Sequence, residues 1–233
     1  EAIVGYAHSV FGKFNIAART TENLQMNAAM MRRRTFLSAV KATCITLSFA
    51  LVLGACSPSP QFLNQNVTGS AYATQVELKN ANGGAVQLNV PTPNQVTALF
   101  FGFTQCPDVC PTTLGTMKLV KQELVKNKMD PDRLRIVFVS IDPERDTPEV
   151  LKAYAAAFDP AVIGAYGSPE HTQKIAKDFN LVYEKVGTGA FYTMNHSANT
   201  YLIGSDGRTR VSVPYGTAAS AIAHDVQQLL NIK

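Results

Sequence analysis

The spacing of apolar residues predicts strands that alternate with helices over most of the second half of the chain. Two short continuous apolar runs, Val96–Phe103 and Leu134–Ile141, are typical of strands buried on both faces of a sheet. Between them, apolar residues recur at nearly helical spacing over Thr112–Lys126. This order indicates a sheet with helices packed against it.

Capping and turn residues complete the pattern. The Thr-Pro pair at 147–148 and the Ser-Pro pair at 168–169 predict N-caps of helices that reach about Phe158 and Phe179. The other predicted elements are a strand pair at 75–79 and 85–90, strands at 181–186, 200–203 and 209–213, and a helix at 217–232. Together they indicate an α/β domain with a mixed central sheet and an N-terminal hairpin extension.

The basic charge of the protein lies in its amino-terminal part. The formal net charge is +4, and residues 1–55 contain six basic and two acidic residues, which accounts for the whole excess. The remainder of the chain is therefore neutral. A neutral domain argues against nucleic acid as a partner, because nucleic-acid-binding domains carry a basic patch.

The layout of residues 31–55 is that of a secretory signal peptide. The arginines at 32–34 precede an apolar stretch, Ala42–Leu53, that is too short to cross a bilayer comfortably. The stretch ends in Leu-Gly-Ala-Cys, which resembles a bacterial lipobox, in which the cysteine becomes the acylated first residue of the mature chain. We therefore expect Cys56 to be lipidated and to anchor the domain on the periplasmic side of the cytoplasmic membrane.

Four segments are expected along the chain. Residues 1–30 carry no usable pattern and precede candidate start methionines, so we expect them not to belong to the native protein. The signal at 31–55 is followed by a Ser-, Pro- and Asn-rich stretch, 56–70, expected to be a flexible spacer, and by the domain at 71–233. Two alternatives stay open: an uncleaved N-terminal anchor, and export by the twin-arginine route.

Two of the four cysteines remain for chemistry. Cys44 lies within the signal and Cys56 is expected to carry lipid, which leaves Cys106 and Cys110 in an oxidising compartment. Both follow a buried strand and precede a helix, where free N–H groups are expected to lower thiol pKa values. Their i, i+4 spacing puts both sulfurs on one face if the segment is helical or nearly so, and two thiolates that close suit either Cu(I) or a reversible disulfide. A purely stabilising disulfide is the alternative.

Histidine is the natural third ligand for such a pair. We expect His171 to be solvated in the first turn of a helix and His224 to be remote in the last helix. His196 precedes the predicted strand at 200–203, and Met194, two residues earlier, would share its face of a strand as a soft ligand. From the residues alone, His196 is either a core histidine or a metal ligand.

Three segments resemble the signature segments of the Sco/SenC family: FGFTQCPDVCPTTL (101–114), SIDPERDTPE (140–149) and NHSANTYLIGSDG (195–207). They occur in the family's order, and the similarity spans roughly residues 71–233. Members are membrane-tethered, thioredoxin-like proteins that help assemble the dinuclear copper centre of cytochrome c oxidase. The resemblance implies a thioredoxin-like fold, with copper bound by Cys106, Cys110 and His196. It also implies two partners: the copper-site subunit of cytochrome c oxidase, and a periplasmic copper donor or thiol reductant.

One departure from the family concerns the residue before the histidine. The family commonly has Asp there, whereas this chain has Asn195. A carboxylate at that position would orient the imidazole or tune its basicity, so with Asn the copper affinity or redox potential is expected to differ. Asp108, between the cysteines, is expected to raise their pKa values by its charge. The DPERDTPE loop, with acidic groups and Arg145, is either turn and cap chemistry or a surface that meets a partner.

Three functions compete for the cysteine pair: copper delivery, reduction of the cysteines of an apo copper protein, and peroxidase activity. Thioredoxin-type reductases usually have C-x-x-C and a nearby Pro, whereas this chain has C-x-x-x-C and no Pro from 187 to 203. Peroxiredoxins have Thr three residues before the catalytic Cys, whereas Thr104 is two residues before Cys106. We therefore expect a copper metallochaperone rather than a turnover enzyme, with thiol–disulfide oxidoreductase as the alternative.

Overall fold

A mixed sheet of eight strands lies at the centre of the part of the protein that the structure describes. The structure is a computed structural model, and the residues it describes are 59–70, 72, 77–88, 90–189 and 191–232. The upstream segment, the signal and Cys56 lie outside the described residues, so the predictions made for them stay predictions. Within the described ranges, no helix has both the length and the hydropathy needed to cross a membrane.

Ten strands and four α-helices are found in the described ranges. The strands are β1 (Gln65–Asn66), β2 (Leu78–Asn80), β3 (Ala85–Val86), β4 (Val96–Gly102), β5 (Leu134–Ser140), β6 (Ile163–Tyr166), β7 (Tyr183–Val186), β8 (Thr193–His196), β9 (Thr200–Ile203) and β10 (Thr209–Val213). The helices are α1 (Val109–Lys126), α2 (Pro148–Phe158), α3 (Pro169–Asp178) and α4 (Ala219–Leu230), and a short 3-10 turn (Pro131–Arg133) precedes β5.

Strand β4 is the middle of the fold. The sheet order is β1-β10-β9-β4-β5-β6-β2-β3, with β4 parallel to β5 and antiparallel to β9. All seven residues of β4 are buried, because the sheet is covered on both faces. Strands β7 and β8 form a separate two-stranded sheet. The predicted α/β fold with a mixed central sheet is confirmed.

Alternate side chains of β4 enter two apolar clusters on opposite faces of the sheet. Ala98 and Phe100 pack with residues of α1 and α4, whereas Leu99 and Phe101 pack with residues of α3 and β9. This alternation is the period of two that any strand imposes on its side chains. A strand that contributes to both clusters has no solvent-facing side, which is why Val96–Gly102 carries no charged residue and its one polar side chain, Thr97, is buried.

The predicted helix starts are confirmed by their capping contacts. The hydroxyl of Thr147 accepts a hydrogen bond from the Val150 N–H (3.4 Å), and that of Ser168 accepts one from the His171 N–H (3.3 Å). Helix α1 begins at Val109, three residues earlier than the predicted start. The reason is that Pro111 lies in its first turn, where backbone N–H groups have no intrahelical partner to lose.

The sequence pattern does not predict three of the strands, β1, β6 and β8, none of which is longer than four residues. Such short segments show too little alternation to be recognised. The N-terminal hairpin is confirmed as β2 and β3, with β2 reaching Asn80 and β3 ending at Val86 instead of residue 90. Through β2 the hairpin also joins the main sheet at β6.

The expectation of a flexible spacer up to residue 70 is wrong for its last part. Strand β1 pairs with β10, and Val67 is buried. The Asp225 carboxylate of α4, fully buried, accepts hydrogen bonds from the backbone N–H groups of Leu63 (2.7 Å) and Asn64 (3.0 Å). Residues 63–67 therefore belong to the folded part, because a distant acceptor binds a segment whose composition alone indicates a linker.

Candidate metal centre

The two cysteines lie in the turn that joins β4 to α1. The Cys106 N–H donates to the carbonyl oxygen of Phe103 (3.2 Å), which closes the turn. Cys110 is the second residue of α1, and its backbone N–H donates to Cys106 Sγ at 3.4 Å. Both cysteines are free thiols, Cys106 partly exposed and Cys110 buried. The two sulfurs are therefore close together at the predicted strand-to-helix turn, although Cys106 precedes the helix instead of sharing one of its faces.

The Cys110 sulfur is packed directly against the end of β4. A Cβ atom at Gly102 would overlap Cys110 Sγ, so the close approach requires glycine at that position. Burial raises the pKa of the Cys110 thiol, and the nearby Cys106 and Asp146 raise it further. The expectation that the helix N-terminus lowers the pKa is therefore wrong for Cys110. Asp146, and not Asp108 as expected, is the carboxylate whose charge raises the pKa of Cys110.

The sheet brings His196 to the same place from a distant part of the chain. Because β9 runs antiparallel to β4 with Thr200 opposite Phe100, the residues before Thr200 lie near the carboxyl end of β4. His196 ends β8 there, and its ring lies edge-on to that of Phe103 with the centroids 6.1 Å apart. The order of strands in the sheet thus brings His196 close to the cysteines, although they are far apart in sequence and no local pattern predicts this contact.

The imidazole of His196 is oriented by a hydrogen bond to the backbone. Its Nδ1 lies 2.8 Å from the carbonyl oxygen of Ser197. A carbonyl can only accept, so Nδ1 carries the proton and Nε2 keeps its lone pair free. Burial lowers the pKa of His196, which keeps the ring neutral at pH 7. The Nδ1 partner is Ser197 and not the side chain of Asn195, which is exposed on β8.

The three side chains form a compact donor set. The ligand atoms of Cys106, Cys110 and His196 all lie within 4.8 Å of one another. Two thiolates and one imidazole are soft and intermediate donors, a set that fits copper: two thiolates satisfy Cu(I), and Cu(II) gains from the nitrogen. A surface cavity of about 350 Å³ opens onto Cys106 and His196, and Met194 also lines it, on the face predicted from strand alternation.

The other two candidate histidines are not part of this cluster. His171 lies in the first turn of α3, with its backbone N–H bound to the Ser168 hydroxyl. His224 lies on α4, where its Nδ1 is 3.1 Å from a carboxylate oxygen of Asp225. Their expected exclusion from the site is consistent with these positions.

The DPERD loop, whose role the sequence leaves open, turns two of its side chains toward the cysteine turn. Asp146 is 2% exposed and accepts hydrogen bonds from the Ser140 hydroxyl (2.6 Å) and from the Thr104 hydroxyl (2.6 Å) and backbone N–H. This carboxylate therefore fixes Thr104, two residues before Cys106. Burial raises the pKa of Asp146 in spite of these donors.

Arg145 of the same loop also turns inward. Its Nε donates to Asp142 (2.6 Å), while its Nη1 donates to the Gln105 side chain (2.9 Å) and the Tyr192 carbonyl oxygen (2.8 Å). Glu144, by contrast, is exposed and pairs with Lys185 (2.7 Å). The signal that could have found this arrangement is the position of the loop at the carboxyl end of β5, next to β4, since the ends of neighbouring parallel strands share one edge.

The fold and the site together define a thioredoxin-like domain with two thiols and an imidazole gathered in one cluster. The chain belongs to the SCO1/SenC family, whose model matches residues 65–231. A "SCO2-like protein" of Rickettsia felis is 39% identical over 116 residues, which are 48% of this chain and 55% of the relative. The match thus spans about half the length of that relative.

Solved structures show the same fold. The copper-bound structure of ScoI from Bradyrhizobium japonicum is 35% identical, with a TM-score of 0.58, and the match covers 66% of this chain and 96% of that one. BsSco, described as having a disulfide switch and as a member of the Sco family of cytochrome c oxidase assembly proteins, is 25% identical with a TM-score of 0.56, over 74% of this chain and all of that one. The predicted family and thioredoxin-like fold are confirmed.

Proposed function

We propose that this protein is a copper metallochaperone. It binds copper through Cys106, Cys110 and His196 and passes it to the copper-site subunit of cytochrome c oxidase. The observation that carries the proposal is the cluster of three ligand atoms within 4.8 Å of one another. Membership of the SCO1/SenC family and the copper-bound ScoI structure support the choice of metal.

The residues around the cluster favour a metal that is loaded and released. Cys106 is partly exposed and faces a cavity that is open to solvent, so copper has a route in and out. His196 is neutral and already oriented, whereas Cys110 holds its proton tightly in the apo protein. Copper must displace that proton, because only the thiolate is a strong ligand.

Two copper titrations of the purified, pre-reduced protein test the binding site: one with Cu(I) under reducing conditions, and one with Cu(II) after the reductant has been removed. We expect one Cu(I) per chain and a thiolate-to-Cu(II) absorption band. Removing either cysteine should abolish both. His196→Ala should keep Cu(I), which two thiolates satisfy, and lose the Cu(II) band. His171→Ala is the matched control and should behave as wild type. An unchanged Cu(II) spectrum in His196→Ala contradicts the proposed ligand set.

Delivery is tested separately. Copper-loaded protein, mixed with the reduced apo copper-site subunit of cytochrome c oxidase, should generate the spectrum of the dinuclear centre. The alternative, a thiol–disulfide oxidoreductase, is measured in the same system with copper-free reduced protein and the oxidised subunit. If the copper-free protein reduces the subunit and the copper-loaded protein transfers no copper to it, the chaperone role is contradicted and the alternative is established.

We also propose that Cys56 is acylated and holds the domain at the periplasmic face of the cytoplasmic membrane. Leu63, whose N–H is bound by Asp225, follows Cys56 by seven residues. Seven extended residues span at most roughly 25 Å, so the domain would lie close to the lipid. Fatty-acid labelling should mark wild type and Cys44→Ser but not Cys56→Ser. Equal labelling of all three contradicts the anchor.

A further inference from the structure

The proposed copper ligands come from two chain segments that the pairing of β9 with β4 brings near each other, but that do not themselves pair as strands. Cys106 and Cys110 belong to the β4–α1 turn, whereas His196 lies on β8, which pairs with β7 in a separate two-stranded sheet. The cysteines therefore keep their mutual spacing through local structure alone. The β4–β9 pairing sets the approximate position of His196, and contacts between the β7–β8 sheet and the β4–α1 turn fix its distance from the cysteines.

Arg145 connects these two segments directly. Its Nη1 donates both to Gln105 Oε1 (2.9 Å), next to Cys106, and to the carbonyl oxygen of Tyr192 (2.8 Å), which immediately precedes β8. One guanidinium nitrogen thus binds the cysteine turn and the histidine strand at once. Arg145 itself lies on the loop after β5, so a third segment supplies the link.

The guanidinium is held rigidly by its surroundings. Its Nε donates to Asp142 (2.6 Å), and the same carboxylate accepts from the Tyr192 hydroxyl (2.6 Å). The guanidinium carbon lies 3.6 Å from the centroid of the Tyr192 ring and 5.8 Å from that of Phe103, the ring that contacts His196. The Arg145 side chain is only 14% exposed, so solvent screens these contacts weakly.

We propose that Arg145 is the positioning residue that holds His196 against the cysteine pair. The inference rests on the proposed copper site for its functional meaning, although the structural link is independent of metal. Because Cu(I) is satisfied by two thiolates from one segment, loosening the link has little effect on that ion. Cu(II), which gains from the imidazole, loses most from it.

The first test uses the apo protein and hydrogen exchange. Arg145→Gln removes the charge and the double contact. Arg145→Lys keeps a charge for buried Asp142, which protects the fold, but its single ammonium cannot reproduce the planar fork. Both variants should speed amide exchange in β7 and β8 at least tenfold. The matched control is Arg210→Gln, since Arg210 is 15% exposed and pairs with Asp206 at 2.6 Å, near the β9–β10 turn. Unchanged exchange in both Arg145 variants overturns the proposal.

The second test compares the two copper oxidation states in Arg145→Lys. We expect its Cu(I) affinity to remain within threefold of wild type, its Cu(II) affinity to fall at least tenfold, and its thiolate-to-Cu(II) band to shift. An equal fall for both ions, or no fall for Cu(II), overturns the positioning role. Absence of copper binding by the wild-type protein would instead refute the proposed function, and the exchange experiment would still decide whether Arg145 positions His196.

Discussion

Replacement of Gly102 by alanine is a direct test of how the Cys110 sulfur is positioned. The added methyl group would overlap Cys110 Sγ and would lie 2.8 Å from Cε2 of Phe138. Phe138 cannot move away, because it is completely buried and stacked on Phe100 with the centroids 5.1 Å apart. The strand cannot shift either, since Gly102 pairs with Ser140 in the middle of the sheet. The cysteine must therefore give way.

The expected loss of stability follows from the cost of overpacking a core. Forcing one extra methyl group into a packed site costs about 1–3 kcal/mol, a fall in Tm of roughly 2–12 °C for a domain of about this size. Displacement of Cys110 Sγ also spoils the copper site, since ligand distances must hold to about ±0.2 Å. We expect the Cu(I) affinity of Gly102→Ala to fall at least tenfold, about 1.4 kcal/mol.

Gly115 on α1 provides the matched control for the same chemical change. A Cβ atom there meets no other atom within 4 Å, so Gly115→Ala should stabilise the helix by up to about 1 kcal/mol. Thermal unfolding is best followed by far-UV circular dichroism, because the chain has no Trp. Cu(I) affinity is measured by competition with a chelator. A Gly102→Ala protein that matches wild type in both Tm and Cu(I) affinity would contradict the proposed packing of Cys110 Sγ against β4.

Three further predictions concern other parts of the site and fold. Burial lowers the pKa of His196, so the unfolded chain binds the proton more readily and the stability of the apo protein should fall as pH drops below about 6.5. In urea titrations at several pH values, His196→Gln should flatten this dependence, and an unchanged pH dependence in the variant contradicts the prediction. Asp225→Ala leaves two backbone N–H groups without their acceptor and should cost about 1–3 kcal/mol, with faster hydrogen exchange in β1 as the decisive reading. Oxidation of Cys106 and Cys110 to a disulfide should abolish Cu(I) binding reversibly, and equally tight binding by the oxidised form would exclude thiolate ligands.

Much of the fold could be predicted because its signals are local. The apolar runs that became β4 and β5, and the capping residues Thr147 and Ser168, act within one turn or one strand of their own position. The short strands β1, β6 and β8 could not be found in this way, since each is defined by its partner rather than by its own pattern.

The pKa of Cys110 shows how tertiary burial can reverse a local rule. Its place in the first turn of α1 favours the thiolate, and the sequence predicts this effect. The sequence does not show the contact with Gly102 or the apolar cluster that surrounds the sulfur. Burial in that cluster affects the pKa of Cys110 more strongly than the helix terminus does. Desolvation acts on the whole surroundings of a group, which no window of sequence contains.

The sequence by itself determined the alternation of strands and helices, the buried character of the central strands, and the position of Cys106 and Cys110 at a strand-to-helix turn. Only the tertiary structure decided that Nε2 of His196 is the free nitrogen, that Arg145 and the buried aspartates face inward, and that residues near 63–67 join the domain. The physical reason is the antiparallel pairing of β9 with β4, which carries His196 to the carboxyl end of β4 across the sheet. Local periodicity specifies each element, but contacts between distant segments exist only once the sheet has assembled.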